Sequence, residues 1–290
     1  MTEFTRTPVV STAWLGENLT APDLRIIDAS YYLAHEGLNP REEYERHHIP
    51  GAVFFDIDDI AESDSELPHM LPSPQKFSSR VRKLGLGDGL RFVVYDQRGV
   101  WSAPRVWWTF RYFGHRDVAI LDGGLPKWMD EGRPVDEDAP RPKERHFTAR
   151  MDSFMLREKE QMQANLTSRR EQVLDARPAA RFNGEASEPR QGLRRGHIPL
   201  SLNLPSSRLM DDEGRCLRSP DALRGLFEAA GVSFAKPVVT TCGSGITAAI
   251  LALGLELAGH KDVALYDGSW AEWGLPGDTD VATSATDPQT

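Results

Sequence analysis

At 290 residues, 40% hydrophobic and 27% charged, the chain has material for more than one packed core and does not have the composition of a disordered protein. Its formal charge of −9 comes from scattered Asp and Glu, which excludes the basic footprint of a nucleic-acid binder or of a membrane-surface helix. The N-terminus has no signal-like apolar run, and Ala248 to Ala258 is too short to span a bilayer. The two cysteines cannot make a disulfide framework, so a cytoplasmic protein with neither membrane nor nucleic-acid partners is expected.

In chain order, Arg25 to Asp28 (RIID) reads as a buried strand, His48-Ile49-Pro50 as a turn, and Arg91 to Asp96 (RFVVYD) as a second strand. Ala103 to Phe113 then reads as a helix stopped by Gly114, and Asp117 to Gly123 (DVAILDG) as another strand, with Trp128 following. Residues Asp130 to Arg150, rich in Pro and charge, have the composition of a solvated linker. The same phrases then recur in the same order. Gln172 to Asp175 (QVLD) matches the first strand, His197-Ile198-Pro199 the turn, Pro237 to Cys242 (PVVTTC) the second strand, and Asp262 to Gly268 (DVALYDG) the third, followed by Trp270 and Trp273. Four anchors in register mark a duplicated unit. After His-Ile-Pro the second copy has Leu200-Ser201 where the first has Gly51-Ala52, a change expected to affect packing. The stretch from Gly277 to Thr290 is polar and reads as a frayed tail.

Short β-branched runs alternating with helical patterns are the grammar of a parallel sheet covered by helices. The expected fold is therefore α/β, with two tandem domains, each a mostly parallel sheet flanked by helices. The boundaries expected are 9–132 for the first domain, 133–153 for the linker and 154–276 for the second.

The segment Cys242-Gly243-Ser244-Gly245-Ile246-Thr247 puts a thiol at the carboxyl end of the strand Val238 to Thr241. A glycine-bearing loop then enters the apolar helix Thr247 to Leu257, which is stopped by Gly259. Backbone N–H groups of such a loop form an anion nest, and the helix N-terminus adds positive potential, so the thiolate is favoured and Cys242 becomes a nucleophile. A lone cysteine is ordinarily one more small hydrophobe, but strand ends in open α/β sheets are where ligands bind. Cys216, in the turn-like stretch Asp211 to Ser219, has no such setting. A cysteine phosphatase would need an arginine closing the loop, and residues 243 to 249 contain none. No nucleotide-binding motif and no zinc-type Cys/His spacing is present, so neither cofactor nor metal is expected.

From Val9 to Trp273 the chain resembles the tandem rhodanese-domain sulfurtransferases. The CGSG loop followed by Ile246-Thr247 is similar to the 3-mercaptopyruvate type, since thiosulfate-preferring relatives carry basic residues after the cysteine. The resemblance implies an inactive first copy, with Asp96 at the cysteine position, and a catalytic second copy. It implies two arginines for the donor's carboxylate, matched by Arg181 and Arg190. Arginines in a polar loop are otherwise commonly just solvated. It also implies a histidine and an acidic residue of the first copy acting with Ser244. His48 is the matching histidine and Glu36, Glu42, Glu43 or Glu45 the acids at hand, with Asn39 a neutral option, while the recurrence of His-Ile-Pro in both copies leaves a purely structural turn role open for His48.

The expected reaction is ping-pong transfer. A small-molecule sulfur donor, 3-mercaptopyruvate, gives its sulfur to Cys242 as a persulfide, which passes to a thiol or thioredoxin-like acceptor, cyanide or a carrier protein, releasing pyruvate. Gly243, Gly245, Ile246 and Thr247 are expected to hold the sulfur and the developing charge. Thiosulfate as donor on the same scaffold, and a non-catalytic interaction module, are the alternatives.

Overall fold

The computed structural model describes residues 7–284. They divide into two compact units. One comprises the chain up to Ser63, Leu71–Asp152 and Asp211–Leu217; the other comprises Asp64–Met70, Ser153–Met210 and the chain from Arg218 on. Each copy therefore has one short segment that counts with the other unit, which the repeat pattern did not reveal.

The first unit is built on a five-stranded sheet: β1 (Val9–Val10), β2 (Leu24–Asp28), β3 (Val53–Phe54), β4 (Arg91–Tyr95) and β5 (Val118–Leu121), in the order β1-β5-β4-β2-β3. The second repeats it with β6 (Leu156–Arg157), β7 (Gln172–Asp175), β8 (Leu202–Asn203), β9 (Val238–Thr241) and β10 (Val263–Tyr266), ordered β6-β10-β9-β7-β8. The pairings between these strands are all parallel. Register repeats as well as order. Asp28 pairs with Tyr95, immediately before Asp96, and Asp175 pairs with Thr241, immediately before Cys242.

Parallel strands need crossovers, and helices supply them. After β4 comes Ala103–Tyr112, and after β9 comes Ala248–Leu257. Both end at a left-handed glycine, Gly114 (φ 88°) and Gly259 (φ 89°), a conformation that a Cβ would disfavour. The central strands β4 and β9 are almost wholly buried, which is why RFVVY and VVTT do not alternate apolar with polar residues.

Residues 133–152, expected as a solvated linker, are mostly exposed but are also tied to the first unit. They run extended along the first unit: Asp136 and His48 exchange backbone hydrogen bonds of 2.8 and 3.0 Å, and Arg150 N–H donates to Phe113 O at 2.9 Å. Phe147 is buried among Phe77, Phe110 and His115, with ring centroids 5.5 to 6.0 Å away. A single aromatic anchor among prolines and charges has no periodicity to detect. The supposed tail is likewise held as far as it is described: Trp273 Nε1–H donates to Asp280 O at 2.7 Å, and Ala282 bridges His197. Residues 285–290 of that stretch lie outside the described residues. Among the described residues no helix is long and apolar enough to cross a membrane.

Candidate active site

Cys242 ends the central strand of the second sheet and is buried, 2% exposed. The chain turns through Gly245 (φ 81°), whose N–H donates to Cys242 Sγ at 3.1 Å. The Cys242 carbonyl accepts from Trp270 N–H and the Gly243 carbonyl from Ala271 N–H, both at 2.9 Å, so the loop is fixed from below. Ser269 assists from a left-handed conformation (φ 50°), its hydroxyl accepting from Cys242 N–H at 3.3 Å and donating to Tyr266 O at 2.8 Å. Among the described residues nothing accepts from the backbone N–H groups of Gly243, Ser244, Ile246 or Thr247, which leaves a set of donors beside the sulfur as the loop passes into the helix Ala248–Leu257. Such donors stabilise an anionic sulfur and any charge that develops next to it.

The first copy shows what this loop shape binds. Asp96 stands at the cysteine position, 1% exposed, and its Oδ2 accepts from the N–H groups of Trp101, Ser102 and Ala103 at 2.7, 2.9 and 2.9 Å. Its Oδ1 accepts from Arg98 N–H at 2.9 Å. The nest of the first copy is thus filled by its own carboxylate, leaving no thiol and no room for a ligand anion.

Arg181 and Arg190 come together on the cysteine loop. A Cβ placed on Gly243 would lie 3.3 Å from Arg181 Nη2 and 3.9 Å from Arg190 Nη1, so a side chain there would crowd both guanidinium groups. Arg181, on the short helix Ala179–Phe182, is held by Glu188, whose Oε2 accepts from Arg181 Nε at 3.1 Å and from Nη2. The other oxygen of Glu188 accepts from Arg177 Nη1 at 2.9 Å, and Arg177 in turn forks onto Asp175. Burial alone would lower the Arg177 pKa, but Asp175, Glu188 and Cys242 outweigh it and raise it above the usual arginine range. The Arg177 guanidinium also lies 4.2 Å above the Trp270 ring, tying the network to the segment beneath Cys242. Arg190, half-buried, has no hydrogen bond or ion pair among the described residues.

The histidine beside Ser244 is His69, not His48. Ser244 Oγ is 3.0 Å from His69 Nδ1, and both side chains are buried. His69 belongs to the segment Asp64–Met70 that counts with the second unit and adopts a left-handed conformation (φ 61°). His48 is held within the first unit instead: its Nδ1 is 2.8 Å from Tyr44 O and its ring stacks on Tyr44 at 4.2 Å. His197 does the same in the second copy, 2.8 Å from Phe182 O and stacked on Phe182 at 3.8 Å. The recurrence of His-Ile-Pro was a signal of fold. Against it, His69 stands in Pro68-His69-Met70-Leu71-Pro72, which has no counterpart phrase in the second copy; a histidine in an unrepeated, proline-flanked insertion was the available clue.

Cys216 belongs to the segment Asp211–Leu217 that counts with the first unit, where Leu217 N–H donates to Asp122 Oδ1 at 3.0 Å. Burial, then the Asp122 carboxylate, push its thiol up to about 11, the opposite of an activated nucleophile.

The rhodanese-like domain family matches residues 11–131 and 158–275. Human 3-mercaptopyruvate sulfurtransferase is 44% identical over 271 residues, covering 91% of each chain. Thiosulfate sulfurtransferase of Gallus gallus is 41% identical over 271 residues, covering 91% of this chain and 92% of its own. A solved structure of a 3-mercaptopyruvate sulfotransferase from Escherichia coli superposes with a TM-score of 0.84 at 40% identity, over 91% of this chain and 99% of that one. Two matched segments, one sheet order used twice, and likeness at this level over nearly the whole length lead to one conclusion: the chain belongs to the rhodanese-like domain family, as a tandem pair whose second copy carries the cysteine.

Proposed function

We propose that the protein is a sulfurtransferase that takes sulfur from 3-mercaptopyruvate onto Cys242 and passes it to a thiol. The observation that carries this reading is the convergence of Arg181 and Arg190 on Gly243, next to the buried Cys242 sulfur. A guanidinium pair one residue from a thiol suits a donor whose carboxylate lies a few bonds from its sulfur. The Cys242 thiolate attacks the donor sulfur, an S–S bond forms, and the C–S electron pair leaves with carbon as the pyruvate enolate. The proton on the transferred sulfur then passes to that carbon, giving pyruvate and a persulfide anion. Gly245 N–H and the unclaimed N–H groups of Gly243, Ser244, Ile246 and Thr247 hold the anionic sulfur. The Ser244–His69 pair is placed to hold and move the proton.

The persulfide then gives its outer sulfur to an incoming thiolate, of a small thiol or a thioredoxin-like protein, and Cys242 is released as thiolate. Both cysteines are free, and this chemistry needs a compartment where thiols stay reduced; a cytoplasmic setting is part of the proposal.

The test is pyruvate release from 3-mercaptopyruvate and sulfite release from thiosulfate, each with a thiol acceptor, by the wild type and Cys242→Ser. Pyruvate release faster than sulfite release, lost in the variant, with a 32 Da adduct on Cys242 by mass spectrometry in acceptor-free protein, is the expected result. A faster sulfite release would make thiosulfate the donor, and inactivity with both donors would remove the enzymatic reading.

A further inference from the structure

Glu188 is a buried carboxylate, its side chain 1% exposed, that lies between two guanidinium groups, only one of which touches the cysteine loop. Asp175, Arg177, Glu188 and Arg181 form one chain of ion pairs with two carboxylates and two guanidinium groups, so its formal charge is zero. Arg190 has no partner among the described residues and adds one positive charge at Gly243. The loop itself is neutral from Cys242 to Thr247 apart from the thiol. The donor therefore meets one compensated guanidinium, which can direct hydrogen bonds but brings little net field, and one uncompensated guanidinium.

We propose that Glu188 is a specificity-determining residue: by cancelling the charge of Arg181 it sets the side chains around the Cys242 thiolate to a net formal charge of +1, matched to a donor with a single carboxylate and not to a dianion such as thiosulfate. This rests on the sulfurtransferase reading above. Coulomb attraction scales with the product of charges, and in a pocket partly shielded from water one unit more or less of site charge acts twice as strongly on a dianion as on a monoanion. Discrimination between donors then arises from charge matching as well as from contacts to the carboxylate.

The experiment is kcat/KM for 3-mercaptopyruvate and for thiosulfate in the wild type, Glu188→Gln and Glu188→Asp. Glu188→Gln raises the site charge to +2, and the ratio of thiosulfate to 3-mercaptopyruvate efficiency rises about tenfold or more. Glu188→Asp keeps the charge and leaves that ratio within about twofold of the wild type while changing the absolute rates. A purely structural role for Glu188 would lower both donors in the same proportion in both variants, and an unchanged ratio in Glu188→Gln overturns the proposal. Should Glu188→Gln fail to fold, Arg190→Gln decides, since Arg190 is half-buried and pairs with nothing among the described residues. If Arg190 supplies the net charge, both donors lose efficiency, thiosulfate at least as much as 3-mercaptopyruvate. A loss confined to 3-mercaptopyruvate would show carboxylate recognition only and overturn the charge argument. A wild type that releases neither pyruvate nor sulfite would refute the sulfurtransferase reading itself, a failure distinct from an unchanged ratio.

Discussion

The Ser244 hydroxyl and the His69 imidazole lie 3.0 Å apart beside Cys242, joining the cysteine loop to a segment more than 170 residues earlier in sequence. Ser244→Ala and His69→Asn are each expected to lower kcat by about 100-fold, the usual scale for losing a positioned proton-transfer group. Because the two act as one pair, the double variant should be no slower than the slower single one. Steady-state pyruvate release measures all three, and full additivity of the two losses would show that they act separately.

In the first copy, Asp96 accepts four backbone N–H groups, two in buried and two in part-buried hydrogen bonds. Asp96→Ala should therefore destabilise the protein by about 3 kcal/mol, the scale of losing charge-assisted hydrogen bonds in a buried nest. Urea denaturation reads the loss. Folded Asp96→Ala protein should retain the wild-type kcat, since Cys242, Ser244 and His69 all count with the second unit, to which Asp96 does not belong.

Asp28 is fully buried, and burial raises its pKa to about 6 despite the hydrogen bond from Ser30 N–H. The folded state thus holds this proton more tightly than the unfolded chain, whose aspartate titrates near 4. The contribution of Asp28 to stability is highest below that unfolded value, falls as pH rises toward 6, and is level above it, a total loss of about 3 kcal/mol. Asp28→Asn should abolish that decline: the stability difference between variant and wild type, from urea midpoints at pH 4 and pH 7, should grow in the variant's favour. A constant difference would mean that Asp28 stays ionised in the fold.

Leu200 occupies a left-handed conformation (φ 66°) at the position where the first copy has Gly51 (φ 77°). A leucine is strained there and a glycine is not, so Leu200→Gly should stabilise the protein by about 1 kcal/mol even after the added entropy of the unfolded chain. A rise in thermal midpoint of a few degrees is the expected readout.

Much of the fold was legible because duplication repeats its own signals. RFVVYD and PVVTTC became the central strands β4 and β9, and the helix stops at Gly114 and Gly259 lie where left-handed glycines were expected. The cysteine loop could be read because nest-forming residues and a helix start are contiguous in sequence. Arg181 and Arg190, placed by family resemblance, do reach Gly243, though nothing local distinguished them from Arg177, which is buried in the ion-pair chain. His69 was illegible for the opposite reason. It comes from a segment with no counterpart in the repeat, and its relation to Ser244 is a tertiary contact with no short-range trace. The strap through Phe147 was hidden by composition, since one anchoring ring among prolines and charges leaves no periodic pattern.

The exchanged segments Asp64–Met70 and Asp211–Leu217 make the duplication indivisible. A gene cut between the copies would give a C-terminal product that retains Cys242, Ser244 and the arginines yet lacks the imidazole at the serine, and an N-terminal product in which Asp122 has lost its donor from Leu217. On the ribosome the histidine emerges long before the loop it serves, so the catalytic copy can be completed only once the whole chain has been made. Two halves that began as equals have become parts of one enzyme that neither could rebuild alone.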